Sequence, residues 1–435
     1  IGALKVISRS STMSYKGTRK PLARIARELK VEAVVEGSVL REGDRVGITA
    51  QLIEAATGQS LWADRYEKNL TSILSLQSEV AQAIAREIQV TLTPGEQALL
   101  ARTREVNPEA YEAYLKGLSH FYKLISPELE KAKQYFEEAL EKDPEFALAH
   151  VGIALVWIGF RQMGAVPPSE AGPKVKAALD RAFDLDDSVP EAYFALAGDK
   201  TWGEWDWEAG EAAFLRAIEL KPNYPDAIVY YSNLLCYLGR VDEAVELAER
   251  ATQLDPFNPL FQSICACTLA FSKRFEEAIT RCRNALKASP EDPVALSSLW
   301  EIHHNLGNYE EAGKFAKAAL VTFGSTQVVD AYDQGYAEGG YKGAMKRVAD
   351  LMAEFSRETF VLPFWIAETY LFAGDKERAL EWFEKGYEIQ SPMMPYIIWP
   401  VYESLLRDES RYQDILRKMD FPDRVITTLI GNLEN

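Results

Sequence analysis

PDAIVYYSNLLCYLGRVDEAVELAERATQLDPFN, residues 225–258, is one unit of a pattern that returns every 34 residues. Pro222, Pro256 and Pro290 stand 34 apart, and Gly324 takes the next place. Five residues before each comes Ala217, Ala251, Ala285 or Ala319; twelve before comes Gly210, Ala244, Ala278 or Ala312. Chance does not keep three columns in step four times. Within the quoted unit Ile228, Tyr231, Leu234, Leu235 and Leu238 recur at helical spacing, and Gly239 ends that helix. Asp242 and Glu243 open a second helix, whose first turn favours negative charge. Its apolar face carries Val241, Ala244, Val245, Leu247, Ala248 and Ala251, and Asp255-Pro256 stops it. One helical hairpin cannot bury such a face alone, so neighbouring units must stack into a solenoid with a continuous core.

A 34-residue unit with small residues at its eighth, twentieth and twenty-seventh places, and a breaker near its thirty-second, resembles the tetratricopeptide repeat. The resemblance implies paired antiparallel helices. About eight units fit between residues 109 and 392. The first runs from Glu109 to Pro144 and the second, with an insertion at Pro167-Pro168, to about Val189. The third carries Trp202, Trp205 and Trp207 at its turn, where Asp206 is placed to cap the second helix while the rings pack on neighbours or form a ligand platform. Units four to six keep perfect register. Gly335, Gly339, Gly340 and Gly343 are expected to loosen the seventh, and the eighth returns with Trp365, Tyr370, Gly374, Ala379 and Phe383. Residues 393–435 read as terminal helices, Ile397 to Leu406 and Tyr412 to Met419, that shield the last repeat, followed by a tail.

Residues 1–92 follow another grammar, and 93–108 connect them to the array. Leu4 to Ser8 alternates toward a strand, and Pro21 to Leu29 makes a short amphipathic helix. Ala33 to Arg41 and Arg45 to Ile53 flank a hairpin signal at Glu42-Gly43-Asp44. Thr57-Gly58 leads to a third strand from Ser60 to Tyr66. A helix with Ile73, Leu76, Val80, Ile84 and Ile88 on one face follows, with Thr71 or Ser72 as its cap. The chain is therefore mainly α: a small N-terminal α+β domain with an antiparallel sheet, then an α-solenoid. Val6-Ile7-Ser8-Arg9, Glu36-Gly37-Ser38-Val39, Thr49-Ala50-Gln51-Leu52-Ile53, Thr57-Gly58 and Leu61-Trp62 resemble the domain related to the amino-terminal part of TolB. In bacteria that domain often precedes tetratricopeptide repeats, behind a nucleotide cyclase, winged-helix or kinase domain. The family's opening strand is missing here, which implies a truncated domain within a longer protein and a bare sheet edge.

Net charge is −17, unevenly placed. Residues 1–105 hold 15 Lys and Arg against 12 Asp and Glu, whereas the remainder holds 33 against 53. An acidic array repels phosphates, so nucleic acid is a poor partner and protein a better one. No run of about 18 apolar residues spans a membrane. Cys236, Cys265, Cys267 and Cys282 read as packing thiols, which weakly favours a reducing compartment and cytoplasmic placement; the periplasm is the alternative. Neither a phosphate loop nor a nucleophile elbow nor a zinc motif occurs, and His303-His304 are adjacent, so their rings diverge by about 100° on a helix. We expect no catalytic site, metal or cofactor.

The repeat resemblance implies that the first helix of each unit lines a concave groove. Its ligand-facing positions map to Asp199 and Trp202; Val229, Asn233 and Tyr237; Ser263, Cys267 and Phe271; Ser297, Glu301, His304 and Asn305; and Phe364, Glu368 and Phe372. The Lys/Asn/Arg set with which chaperone-binding arrays hold a terminal carboxylate is absent save Asn233. A protein or peptide segment with apolar anchors suits this wall, and self-association is a further possibility. Replacing Tyr237 and Phe271 by Ala is expected to weaken capture without loss of folding. The leading expectation is a non-catalytic scaffold of a bacterial signalling protein, and the alternative a stand-alone adaptor in secretion or cell-envelope assembly.

Overall fold

The computed structural model describes residues 2–43, 45–101, 106–123, 125–323 and 325–430. Asp44 of the hairpin signal, residues 102–105 of the connector, Gly324 of the breaker column and tail residues 431–435 lie outside them. Helices α1 (Arg9–Met13) and α2 (Leu22–Leu29) precede strands β1 (Ala33–Glu42), β2 (Arg45–Glu54) and β3 (Ser60–Asn69). The three strands form an antiparallel sheet in sequence order. Helix α3 (Ile73–Glu87) packs on β2 and β3, and α4 (Pro94–Ala101) follows. Ser72 stands at the N-cap of α3 without a side-chain hydrogen bond, so the expected cap is not made.

Leu4 to Ser8 is not a strand. Its alternation is too short to hold a ladder without a partner edge, and repeat loops satisfy the segment's polar groups instead. Asn223 donates to the Leu4 carbonyl, and the Ser8 amide donates to the Leu254 carbonyl at 2.8 Å. Ser10 and Ser11 donate to Asp255, and Tyr15 meets Phe257 with centroids 5.9 Å apart.

From Pro108 the chain is helical hairpins: α5 (Pro108–Phe121) with α6 (Ser126–Lys142), α7 (Ala147–Gln162) with α8 (Pro168–Leu185), and α9 (Pro190–Gly198) with α10 (Trp207–Leu220). The regular units follow as α11 (Pro225–Tyr237) with α12 (Val241–Leu254), α13 (Pro259–Phe271) with α14 (Phe275–Ala288), and α15 (Pro293–Asn305) with α16 (Tyr309–Phe323). Ala217, Ala244, Ala251, Ala278, Ala285, Ala312 and Ala319 are all buried, as close helix approach requires. Side chains of Asn107, Asp206, Asn258 and Asp292 accept hydrogen bonds from first-turn amides of the following helices, satisfying donors the helix leaves orphaned.

The seventh unit, α17 (Thr326–Phe355), is tighter than its glycines imply. Gly339 and Gly340 break the helix, Gly340 at φ +61°, and fold its arms together. Gly335 and Gly343 sit where the arms cross, and a methyl on either would overlap the other's backbone. The glycines permit a close crossing instead of loosening the unit. The eighth unit is α18 (Pro363–Ala373) with α19 (Lys376–Glu388).

After α19 come a 3₁₀ turn (Met394–Ile398), α20 (Pro400–Leu406), α21 (Ser410–Lys418) and α22 (Asp423–Ile430). Only part of this segment caps the last repeat. Arg411 on α21 meets Glu384 and Glu377 of α19 at 2.7 Å. The 3₁₀ turn and α20 instead run back across the first helices, against α11 and α15, and Arg424 of α22 donates to the Leu238 carbonyl at 2.6 Å. The apolar content of this segment, buried at Met394, Ile397, Trp399 and Leu406, exceeds what one repeat end can cover. Among the described residues no helix is long and apolar enough to cross a membrane.

Candidate functional site

The wall made by the first helices is covered, where the sequence implies an open groove. Three aromatic side chains of the returning segment seat against it. Tyr396 meets Tyr237 edge-on at 5.7 Å between centroids, Trp399 meets Phe271 at 4.8 Å and 83°, and Tyr402 stacks on Phe372 at 6.2 Å and 14°. Phe364 meets Tyr402 edge-on at 5.6 Å. Such pairs add about 0.5–1.5 kcal/mol each beyond their burial. The polar fringe is paired too: Ser404 donates to Asn305 at 3.1 Å, and Lys273 meets Glu403 at 3.4 Å.

The segment draws Tyr237, Phe271, Glu301, Asn305, Phe364, Glu368 and Phe372 around it. Trp202 stands behind, its indole donating to the Tyr237 hydroxyl at 3.3 Å. His304 stacks on Phe372 at 4.0 Å and pairs with the Tyr341 hydroxyl at 2.9 Å; burial lowers its pKa to about 4. Asn233 is buried, and Ser297 is half-buried.

The remaining positions are engaged by partners within the array. Val229 packs with Ala251, Leu254, Phe261 and Ile264 between repeats. Ser263 donates to Asp292, the cap of α15, at 2.8 Å, and Cys267 pairs with Ser298 at 3.2 Å. Ser263, Cys267 and Phe271 are spaced four residues apart on α13, so they share one stripe of that helix, and Trp399 of the returning segment meets the stripe at Phe271. Asp199 is held at 2.8 Å by Arg161, with side chains 7% and 3% exposed. Desolvation raises the Asp199 pKa against the pull of that guanidinium. All four cysteines are free and buried, and burial lifts the Cys267 thiol to about 12, which leaves it unreactive. Sequence reasoning missed Arg161, Tyr396, Trp399 and Tyr402. The signal for the last three is an aromatic run between Pro392, Pro395 and Pro400, too apolar for an exposed tail.

Two carboxyls meet in this wall. Burial holds Glu301 protonated well above the carboxylate range, with Glu368 beside it. Burial likewise pushes Glu368 up to about 7, while hydrogen bonds donated by Tyr402, at 2.5 Å, and Glu301 restrain it. Tyr341, Tyr396, Cys267 and His304 are the other titratable groups nearby, and all four are neutral near pH 7. Glu368 keeps its proton in the fold to about pH 7 but releases it near 4.5 when unfolded. The stability tied to that proton is full below pH 4.5 and lost as pH rises through 7. Glu368→Gln should therefore stabilise the protein by roughly 2 kcal/mol at pH 8 and change little at pH 4.5. Urea unfolding at the two pH values checks this; an equal effect at both excludes the buried acid pair.

Residues 204–259 and 266–327 match one tetratricopeptide repeat model, and 364–392 match a second, so the chain carries tetratricopeptide repeats. It is 32% identical over 204 residues to "Putative adenylate cyclase 3" of Rhizobium meliloti, covering 46% of this chain and 35% of that protein. It is 24% identical over 182 residues to the transcriptional regulator HilA of Salmonella typhimurium, covering 42% of this chain and 32% of the regulator. The chain thus spans about a third of the length of either relative. Among solved structures, the human IFIT1 dimer with m7Gppp-AAAA overlaps 72% of this chain and 77% of its own at a TM-score of 0.46 and 16% identity.

Proposed function

We propose that this tetratricopeptide array is a non-catalytic, protein-binding regulatory region of a bacterial signalling protein, working in the cytoplasm beside a nucleotide-cyclase or transcription-regulator output. One observation carries the binding role: the wall made by the first helices already holds a peptide-like segment, residues 393–406, through Tyr396, Trp399 and Tyr402. A partner segment of similar chemistry, aromatic and proline-punctuated, takes the same seat by exchange. Support for the signalling setting comes from the relative named for adenylate cyclase and from the regulator HilA. In this reading residues 1–92 are a TolB-amino-terminal-like unit, 93–108 a connector, 109–392 the array, and 393–435 the resident occupant and tail.

The test is direct. A labelled peptide of residues 391–409 is titrated by fluorescence anisotropy into a chain ending at Gln390, whose helicity is checked by circular dichroism. Binding of micromolar order is expected, about −8 kcal/mol, and Phe271→Ala should weaken it about tenfold. A folded array that ignores the peptide removes the proposal.

A further inference from the structure

Tyr402 fills a pocket of the wall whose chemistry its phenol matches only in part. The ring meets Phe364 edge-on at 5.6 Å, stacks on Phe372 at 6.2 Å and 14°, and has Phe383 at 6.1 Å. At the ring's end the hydroxyl donates to Glu368 at 2.5 Å, and Glu301 stands beside Glu368. The two carboxyls come from different units, Glu301 from α15 and Glu368 from α18. Among the described residues no Lys or Arg pairs with either. One phenol and the acids' own protons must serve both carboxyls.

The shortage of donors recurs along the wall. Asn233, Cys267 and Glu301 occupy one column of it, 34 residues apart. Asn233 is 3% exposed, and its Oδ1 has no donor among the described residues. It lies about one turn before Tyr237, which meets Tyr396 of the returning segment. Buried polar groups are as a rule paired, so the resident segment is an incomplete ligand for this face. The surrounding field has the same sign: residues 106–435 hold 33 Lys and Arg against 53 Asp and Glu, which draws basic segments toward the array.

We propose that the seat of Tyr402 is an arginine pocket: the partner segment that displaces residues 393–406 carries an Arg there, its guanidinium laid on Phe372 and forked onto Glu301 and Glu368. The inference rests on the exchange reading above and adds the partner's chemistry. Arg suits the seat on three counts. Its plane stacks on an aromatic face as the phenol does. Its fork offers parallel N–H donors to carboxylate oxygens. Its charge is permanent, so both acids ionise beside it, which a phenol does not bring about. Lys supplies the charge without the plane or the fork. Linkage fixes the sign. Docking of the Tyr402 segment shuts the acids away from water and takes up protons, so it weakens as pH rises; docking of an Arg segment releases protons and strengthens. Tyr341, Tyr396, Tyr402, Cys267, Cys282 and His304 are uncharged between pH 6 and 8, and Lys273 and Glu403 pair with each other at the fringe.

Two fluorescent peptides of residues 391–409, one native and one with Tyr402→Arg, are titrated into the 435-residue chain by anisotropy at pH 6 and pH 8. The resident segment competes equally with both, so the ratio of their affinities reads the pocket alone. The Tyr402→Arg peptide should bind at least about tenfold tighter than the native one at pH 8, and the preference should narrow at pH 6. A chain with Glu301→Gln and Glu368→Gln, which keeps side-chain size and whose helicity is checked by circular dichroism, should show no preference at either pH. Calorimetry at pH 6 in buffers of different ionisation enthalpy should find protons released by the Tyr402→Arg peptide and none by the native one. Equal binding of the two peptides, a preference that survives the paired Gln substitutions, or binding without proton release would each overturn the inference and leave the exchange reading standing. Binding of neither peptide would remove both.

Discussion

Tyr237→Ala is expected to destabilise the protein by about 3–5 kcal/mol, the range for removing a large ring from a packed interior. Tyr237 is fully buried and lies within ring contact of Trp202, Trp207, Phe271 and Tyr396. Truncation leaves a void bordered by two repeats and by the returning segment, and it strands the indole of Trp202, which donates to the lost hydroxyl. The sequence alone points the other way, to a groove ring dispensable for folding. The difference arises because the ligand-facing side of α11 is covered in cis. Phe271→Ala, at a half-buried ring, should cost less, about 1–2 kcal/mol. Urea unfolding followed by tryptophan fluorescence measures both. An unchanged midpoint for Tyr237→Ala means that the wall is not packed as described.

Asp199→Ala should cost a similar amount, about 3–5 kcal/mol, for an electrostatic reason. It leaves Arg161 buried with no counter-charge, and the guanidinium Nε and Nη2 already lack partners among the described residues. Removing both charges is gentler than removing one. Arg161→Met combined with Asp199→Leu should recover most of the loss, because two apolar side chains carry no desolvation penalty. A double-mutant cycle reads the coupling, and additive losses would show that the two residues act independently.

Nearest-neighbour structure was legible in the sequence because the repeat encodes it locally. Alanine columns mark where helices touch, Asp206 caps α10 as its place predicts, and the period-two runs flanking Gly43 give β1 and β2 nearly to the residue. Long-range closure is not local. Whether a solenoid leaves its inner wall open depends on small rotations accumulated over eight units, and no single unit records that sum. The same limit hid the destination of residues 393–430, whose apolar content was visible but some of whose partners lie more than 100 residues away, as with Trp399 and Phe271 or Arg424 and Leu238. Val229 and Ser263 lie two turns before Tyr237 and Phe271 on the same stripes, and neighbouring repeats engage them there. Glycines 335 and 343 carry two meanings, loosening and close crossing, and only the folded partner decides between them.

The indole of Trp207 in the third unit donates to the Met419 carbonyl at 3.1 Å and stacks on Phe421 at 4.9 Å, tying the start of the regular array to the end of the chain. An open stack of repeats comes apart from its ends, one hairpin at a time. A stack whose last helices are clasped to its third has no free end on that side, so peeling must begin by breaking the clasp and exposing several layers together. The protein then behaves less like a spring than like a buckled strap, rigid until released and yielding as one piece.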